Sequence, residues 1–442
     1  MSTIKSSTTT TTAYQVVADT TGTLVFQTGA TPTTALTIDA SQAVTFAGAV
    51  SLSGNQTTTG NLTVNGNTTL GDASTDTILM TGAPSIGGAG LGMGMGFRNR
   101  IINGAMVIDQ RNAGASVTPT DNQYTLDRWT ARVSQASKYT VQQNAGSVTP
   151  PAGFTNYLGV TVISAATVGA ADAFDIQQRI EGFNVADLGW GTANAKSVTL
   201  SFWVRSSLTG TFGGAINNSA FNRSYPFSYS IPTANTWTSI SVTVAGDTGG
   251  TWLTTSGVGI QVSFGLGDGS NYEGTAGAWA GTGLLNATGT VDVVATNGAT
   301  WYITGVQLEK GSTATSFDYR PYGTELMLCQ RYLPMFTFGA SEKLIAGQAI
   351  STTQVITTFL FPVTARSVAT GVTSSAGSNF ALGDATLGYG ANQTGTAIAF
   401  ETGGVNQASV KLTCTSGLVA GNASIVLSRF ANTTIQFTGC EL

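Results

Sequence analysis

Histidine is absent from this 442-residue chain, and charged residues make up only 9% of it, against about 25% in ordinary soluble domains. Without imidazole, Ser-His-Asp and Cys-His catalysis are excluded, as is any metal site that needs a histidine ligand. The 18 Lys and Arg are spread along the chain against 22 Asp and Glu, so no basic patch for nucleic-acid phosphates is visible. No run of 18 or more apolar residues occurs, and no membrane span is expected. The opening MSTIKSSTTTTT lacks the apolar stretch of a secretory signal. Cysteine is limited to Cys329, Cys414 and Cys440. This odd, widely spaced set reads as buried thiols of a protein made in a reducing cytosol, not as a disulfide framework.

What fills the chain instead is 56 Gly with abundant Thr, Ser and Asn, beside 41% hydrophobic residues. A long helix or coiled coil would need Ala, Glu, Lys, Leu and Arg in bulk. Disorder is disfavoured too, because the apolar share can build a large core and the net charge is only −4. The expectation is a soluble, all-β, non-enzymatic chain of about three domains.

The pattern changes along the chain. Residues 1–12 form a Ser/Thr tract that buries nothing and is expected to be a flexible attachment tail. Over 13–81, short alternating runs such as Leu24-Val25-Phe26, Ala35-Leu36-Thr37-Ile38 and Ala43-Val44-Thr45-Phe46 recur with strand-and-turn spacing. An imperfect repeat joins Gly60-Asn61-Leu62-Thr63-Val64-Asn65-Gly66 to Gly66-Asn67-Thr68-Thr69-Leu70-Gly71. Each such strand carries two or three apolar side chains, too few to offset the entropy of ordering one copy alone. Stacking against other copies, as a trimeric β shaft, is the simplest remedy. The Gly-X run over 82–96 reads as a neck or hinge.

From residue 97 to 322, longer period-two runs of β-branched and aromatic residues predict an antiparallel jelly-roll sandwich. Ser197–Val204, Trp237–Val244, Val258–Phe264 and Thr300–Leu308 are examples, with Trp203 and Trp301 assigned to the core. A short helix is expected over Glu325–Leu333, stopped by Pro334, within a small carboxyl-terminal β tip domain over 323–442. Arg128, and Arg179 with Glu181, are expected to make structural ion pairs, given the cost of an unpaired buried charge.

Two stretches carry a resemblance. Asn99-Arg100-Ile101-Ile102-Asn103-Gly104-Ala105-Met106 resembles the opening strand of jelly-roll carbohydrate-binding modules, and Val306–Phe317 resembles their closing strand and turn. Val198–Arg205 is similar to their central strand. The order of the whole chain resembles bacteriophage tail-fibre or receptor-binding proteins, including the Phe317–Tyr332 junction and the final Glu441-Leu442. The resemblance implies a homotrimer on the virion exterior. Its amino end would meet other virion proteins, of tail, baseplate or capsid, and its outer β domains would meet host-surface glycan. No membrane insertion is implied. The alternatives are a capsid-mounted or purely structural spacer, and a polysaccharide depolymerase.

Sugar sites combine aromatics, which cover the apolar faces of the rings, with carboxylates and amides that bond hydroxyls. Two loops supply both, giving Tyr225, Tyr272 and Trp279 as stacking residues and Arg223, Asp268, Asn271 and Glu273 as polar partners. Asp268, Asn271 and Glu273 also suggest a structural Ca²⁺ site, although their spacing is not that of an EF-hand. Catalytic carboxylate pairs would be Asp172 with Asp175, Glu181 with Asp187, or Asp268 with Glu273, none within a recognisable motif. The Gly-rich run lacks the Gly-Lys-Ser/Thr ending of a phosphate loop, so nucleotide binding is rejected. Light scattering on a sizing column tests the shaft. A stable trimer of the 45.2 kDa chain is the expected result, and a monomer would overturn the intertwined-strand argument.

Overall fold

The computed structural model describes residues 97–384 and 393–442, and before them 23–28, 33–47, 49–50, 57–59, 63, 85–86 and 89–90. All of the 60–71 repeat except Thr63, the whole 1–12 tail and most of the 82–96 neck lie outside the described residues. Two compact units divide at residue 81, one over Met1–Thr81 and the other over Gly82–Leu442.

In the first unit, β1 (Leu24–Thr28), β2 (Thr33–Ile38) and β3 (Val44–Phe46) form an antiparallel three-stranded sheet at the alternations read from sequence. Val25, Phe26, Val44 and Phe46 are each about 40–50% exposed on it. A single copy therefore leaves these four in water, while Leu24, Leu36 and Ile38 are half-buried. Past the division, in the second unit, two short strands, β4 (Ser85–Ile86) and β5 (Ala89–Gly90), pair with each other.

The second unit is built on two antiparallel sheets. One runs β13 (Ser224–Ile231), β12 (Gly210–Asn217), β15 (Val258–Asp268), β10 (Ala173–Glu181), β7 (Trp129–Val133), β6 (Gln123–Tyr124). The other runs β14 (Thr238–Val244), β11 (Val198–Ser206), β18 (Thr300–Lys310), β9 (Leu158–Val162), β8 (Tyr139–Gln143). Apart from the hairpins β6–β7, β8–β9 and β12–β13, the chain crosses from sheet to sheet between these strands, so β10 pairs with β7 and β15 while β11 pairs with β14 and β18. Trp129, Phe174, Phe202, Phe212, Phe264 and Trp301 fill the space between the sheets, all buried. Period two delivers them, because only alternate residues of each strand face inward. The short pair β16 (Glu273–Gly274) and β17 (Asn286–Ala287) lies in the long β15–β18 connection.

One expected strand is not a strand. Asn99–Met106 is bent chain, with Asn103 and Met106 at positive φ. It still lies along the closing strand: Arg100 N–H donates to Leu308 O and Val306 N–H to Gly104 O. A Cβ at Gly104 would fall 2.1 Å from Val306 O, so only glycine permits this approach.

Helix α1 (Tyr322–Gln330) begins three residues before the expected start, immediately after Pro321, and its first turn closes by Glu325 N–H to Pro321 O. Beyond it stand a sheet of β19 (Met335–Phe338), β27 (Thr433–Thr438) and β22 (Gly371–Ser374), and a closed barrel. The barrel order is β20 (Lys343–Ala349), β21 (Gln354–Leu360), β25 (Gln407–Cys414), β24 (Gln393–Gly403), β23 (Phe380–Asp384), β26 (Ala423–Ser428). Phe359, Phe380, Val410 and Leu412 lie in its core, in one cluster with Phe437 of β27. All three cysteines are buried and free.

The carboxyl end returns to the sandwich and is held by buried charge. The Arg128 guanidinium, 1% exposed, donates to Glu441 at 2.6 Å and to Arg179 O, and lies 3.6 Å over the Tyr332 ring. Arg111 also pairs with Glu441, and Leu442 O accepts from Tyr124 and Arg179. Glu181, on β10, accepts two bonds from Arg331 and one from the Tyr332 hydroxyl. Burial works to raise its carboxyl, yet those hydrogen bonds hold it below its ordinary value. Arg128 thus has the ion pair expected of it. Arg179 and Glu181 do not pair with each other but each binds the carboxyl-terminal part. Breaking a buried pair by deleting one partner costs about 3–5 kcal/mol. Arg128→Ala is therefore expected to lower the stability of the 97–442 portion by about that amount in urea unfolding, and a loss under about 1 kcal/mol would show that Glu441 is solvated instead.

Candidate functional site

The seven residues singled out from sequence fall into two groups. Arg223, Tyr225 and Trp279 do come together, but as a packed cluster. Trp279 makes edge-on contacts with Trp190, Trp252 and Tyr225, with ring centroids 5.2–5.5 Å apart. Its indole N–H donates to Ala245 O. Tyr225 is buried, so its ring is not presented to a ligand. Arg223 is committed to Asp247 through bonds of 2.8 and 2.6 Å.

Asp268, Asn271, Tyr272 and Glu273 form the second group. Asp268 is 2% exposed and accepts Phe174 N–H, which removes it from any surface site. Asn271 is exposed, Glu273 is half-buried, and the half-buried Tyr272 ring lies beside the Arg132 guanidinium. Asp268 inside and Asn271 outside do not make the oxygen cage that Ca²⁺ requires. Among the described residues no three His, Cys, Asp or Glu side chains converge to hold a metal.

The carboxylate pairs are likewise rearranged. Asp172 sits in a surface turn bonded to Ser134 and Gln135, and Asp187 pairs with Arg100 and Lys310. Asp175 is fully buried, with Asp268 as its charged neighbour. Both Asp175 oxygens and Asp268 Oδ2 lack hydrogen-bond partners among the described residues. Burial pushes the Asp175 carboxyl up to about 7, opposed by Arg132, and pushes Asp268 up as well, reinforced by Asp175.

An open site lies on the outward face of the five-stranded sheet. Along β11, Leu200, Phe202 and Val204 point into the core, and Ser201, Trp203 and Arg205 point away, half-exposed. Trp203 is therefore not a core residue, whereas Trp301 is, 0% exposed with its N–H on the Tyr229 hydroxyl. Six of the seven tryptophans donate their indole N–H to the protein: Trp129, Trp190, Trp237, Trp252, Trp279 and Trp301. Trp203 stands apart from them, with no ring contact and no hydrogen bond from its indole among the described residues.

Around Trp203 is a groove of about 300 Å³, lined by Ser201, Ser239, Ser241 and the Ala314–Phe317 turn, with Phe154 and Tyr319. Phe154, Phe317 and Tyr319 form a triad with centroids 4.8–5.5 Å apart, and Tyr319 is 55% exposed. A bulge makes room for them. The β11–β18 register slips between Ser201 and Trp203, where Gly305 takes φ +63. A Cβ there would lie 2.6 Å from the Phe154 ring, so the aromatic sits where a side chain would otherwise be. A second cavity of about 250 Å³ shares the three aromatics and extends to Asp318 and Arg320. Exposed aromatic faces beside hydroxyls can cover the C–H face of a sugar and bond its hydroxyls. The alternation along Val198–Arg205 carried the signal for Trp203, since assigning Phe202 inward sends its neighbour outward. The approach of Phe154 to Phe317 and Tyr319, over 160 residues away, had no local signature.

No family model matches the chain, and no curated protein matches it. Among solved structures it is similar to the enzymatically active domain of bacteriophage CBA120 tailspike protein 4, at 15% identity and TM-score 0.28, covering 48% of this chain but only 22% of that one. It is similar to the family 11 carbohydrate-binding module from Clostridium thermocellum in complex with a β-1,3-1,4-mixed-linked tetrasaccharide, at 11% identity and TM-score 0.24, covering 45% and 98%. The CBM22-1 xylan-binding domain from Paenibacillus barcinonensis Xyn10C gives 10% and 0.23, covering 46% and 99%.

The buried acids give a pH test. A carboxyl whose pKa is higher folded than unfolded contributes stability that is complete below about 4 and is lost as pH rises through about 7. Asp175→Asn/Asp268→Asn should therefore match the parent near pH 4 and exceed it at pH 8 by about 2–4 kcal/mol, each pKa unit being about 1.4 kcal/mol. Calorimetric melting across that range reads the gap, and a constant difference at every pH would refute the buried-acid account.

Proposed function

We propose that this chain is a non-catalytic glycan-binding protein of a β-rich fibre, displayed on a virion exterior and engaging host-surface sugar through the groove at Trp203. The observation that carries the reading is Trp203 itself. It is a large aromatic turned outward at mid-strand, with its N–H uncommitted, among serine hydroxyls and next to an aromatic triad in which Tyr319 is exposed and Phe154 and Phe317 are half-buried. Grooves of about 300 Å³ and upward are of ligand-binding size. A binding rather than cleaving role is supported by the acids, because Asp175, Glu181 and Asp268 are buried within the protein and not opposed across an open groove. The fibre part of the reading is supported by the first unit, where one copy leaves Val25, Phe26, Val44 and Phe46 exposed.

Affinity electrophoresis against host-cell-surface polysaccharide tests the groove. Trp203→Ala is expected to weaken retention at least tenfold, about 1.4 kcal/mol, with an unchanged melting temperature. Trp301→Ala, by contrast, is expected to destabilise by about 3–5 kcal/mol. Unaltered retention in a folded Trp203→Ala protein would refute the assignment.

A further inference from the structure

A cleft of about 620 Å³, twice the size of the Trp203 groove, lies between the 107–113 loop, α1, β19 and β27. Its lining is dominated by amides, notably Gln143, Gln330, Asn432 and Gln436, and Tyr322 adds an aromatic residue that is 63% exposed. The two ionisable groups that reach it are already engaged. Asp109 accepts the N–H groups of Asn112 and Gly114, and Arg111 pairs with Glu441. Gln330 and Gln143 donate their amide nitrogens to Met335 O and Met106 O, at 3.3 and 2.6 Å, which leaves their carbonyl oxygens as acceptors. Gln436 Oε1 is buried with no partner among the described residues. A buried acceptor without a donor is costly, and a ligand that supplies the donor removes that cost.

We propose that this cleft is a second binding site, separate from the Trp203 groove, and that its ligand is a neutral saccharide. Sugar hydroxyls donate to carbonyl acceptors and accept from amide N–H groups, and an exposed tyrosine covers the apolar face of a ring. Phosphate, carboxylate and acidic peptide lack an available counter-charge here, because Arg111 is engaged by Glu441. A neutral polyol needs none.

The test uses the full-length protein in affinity gels containing dextran, galactan, xylan or mannan, with the Trp203→Ala background silencing the groove. In that background the protein should still be retained by at least one of the four. Adding Tyr322→Ala or Gln436→Leu should weaken the retention at least tenfold. Tyr322→Ala should melt where its parent does, and Gln436→Leu at the same temperature or higher, because it removes an unpartnered acceptor. Retention unchanged by both cleft substitutions overturns the proposal. So does loss of all retention in Trp203→Ala alone, absence of retention on all four polymers, or displacement of the polymer by a peptide. If Trp203→Ala has no effect while the cleft variants lose retention, the groove reading fails and the cleft stands.

Discussion

The constraint on which the second unit depends is that a chain with so few charges buries several of them at one junction. Arg128 is almost fully enclosed, and its guanidinium is matched by Glu441, by Arg179 O and by the face of Tyr332. Glu181 is as deeply enclosed and is matched by Arg331 and Tyr332. Neither set is complete without residues from both the sandwich and the chain beyond it, Arg331 and Tyr332 at the end of α1 and Glu441 near the carboxyl terminus. A guanidinium stripped of water is tolerable only with its hydrogen bonds made, so the position of the carboxyl terminus follows from the need to satisfy Arg128. The sandwich and barrel belong to one compact unit, tied at Arg128 and Glu181 as well as through α1.

That junction also decides which surface of the sandwich stays open. The outward face of the six-stranded sheet is occupied at one side by Leu442 and Arg331, which bond Arg179 and Glu181. Elsewhere Asn286 lies across Gly213 and Gly265, where added Cβ atoms would meet it at 2.3 and 2.2 Å. On the same sheet Asp175 and Asp268 are buried. On the five-stranded sheet no such covering lies over Ser201, Trp203, Ser239 and Ser241 among the described residues, and the bulge at Gly305 seats aromatics beside them instead. The location of the groove is thus a consequence of where the rest of the chain was needed.

Legibility in the sequence followed the same division between local and distant. Strands with apolar residues at every second position were readable, β11, β14, β15 and β18 among them, because alternation is a local property. β10 was harder: its outward positions hold Asp175, Gln177, Arg179 and Glu181, and its inward set includes Gln178, which bonds Ile102. β12, Gly-Thr-Phe-Gly-Gly-Ala-Ile-Asn, has the composition of a turn but pairs as a strand with β13 and β15, neighbours distant in sequence or unread, and its glycine admits Asn286 onto it. Asn99–Met106 had apolar residues at suitable positions, yet side-chain bonds from Asn99 and Asn103 to nearby backbone hold it bent. At the candidate site, Arg223 and Asp268 looked available because their partners, Asp247 and Phe174, lie 24 and 94 residues away.

The scarcity of charge also shapes how such a surface can bind. With serine hydroxyls, amides and aromatic rings as its working groups, it gains little from long-range attraction, so encounter is not steered and salt screens little. Each contact rests on ring coverage and on hydrogen bonds exchanged with water, which return about 1 kcal/mol apiece. A single groove of this kind therefore binds weakly. In the proposed fibre that weakness is corrected by number. A groove and a cleft on one chain, repeated in neighbouring copies, turn later contacts into intramolecular events whose effective concentration is set by geometry. A polymer that repeats its sugar along its length suits that arrangement, because every repeat reaching a second site adds to retention without any one contact being strong.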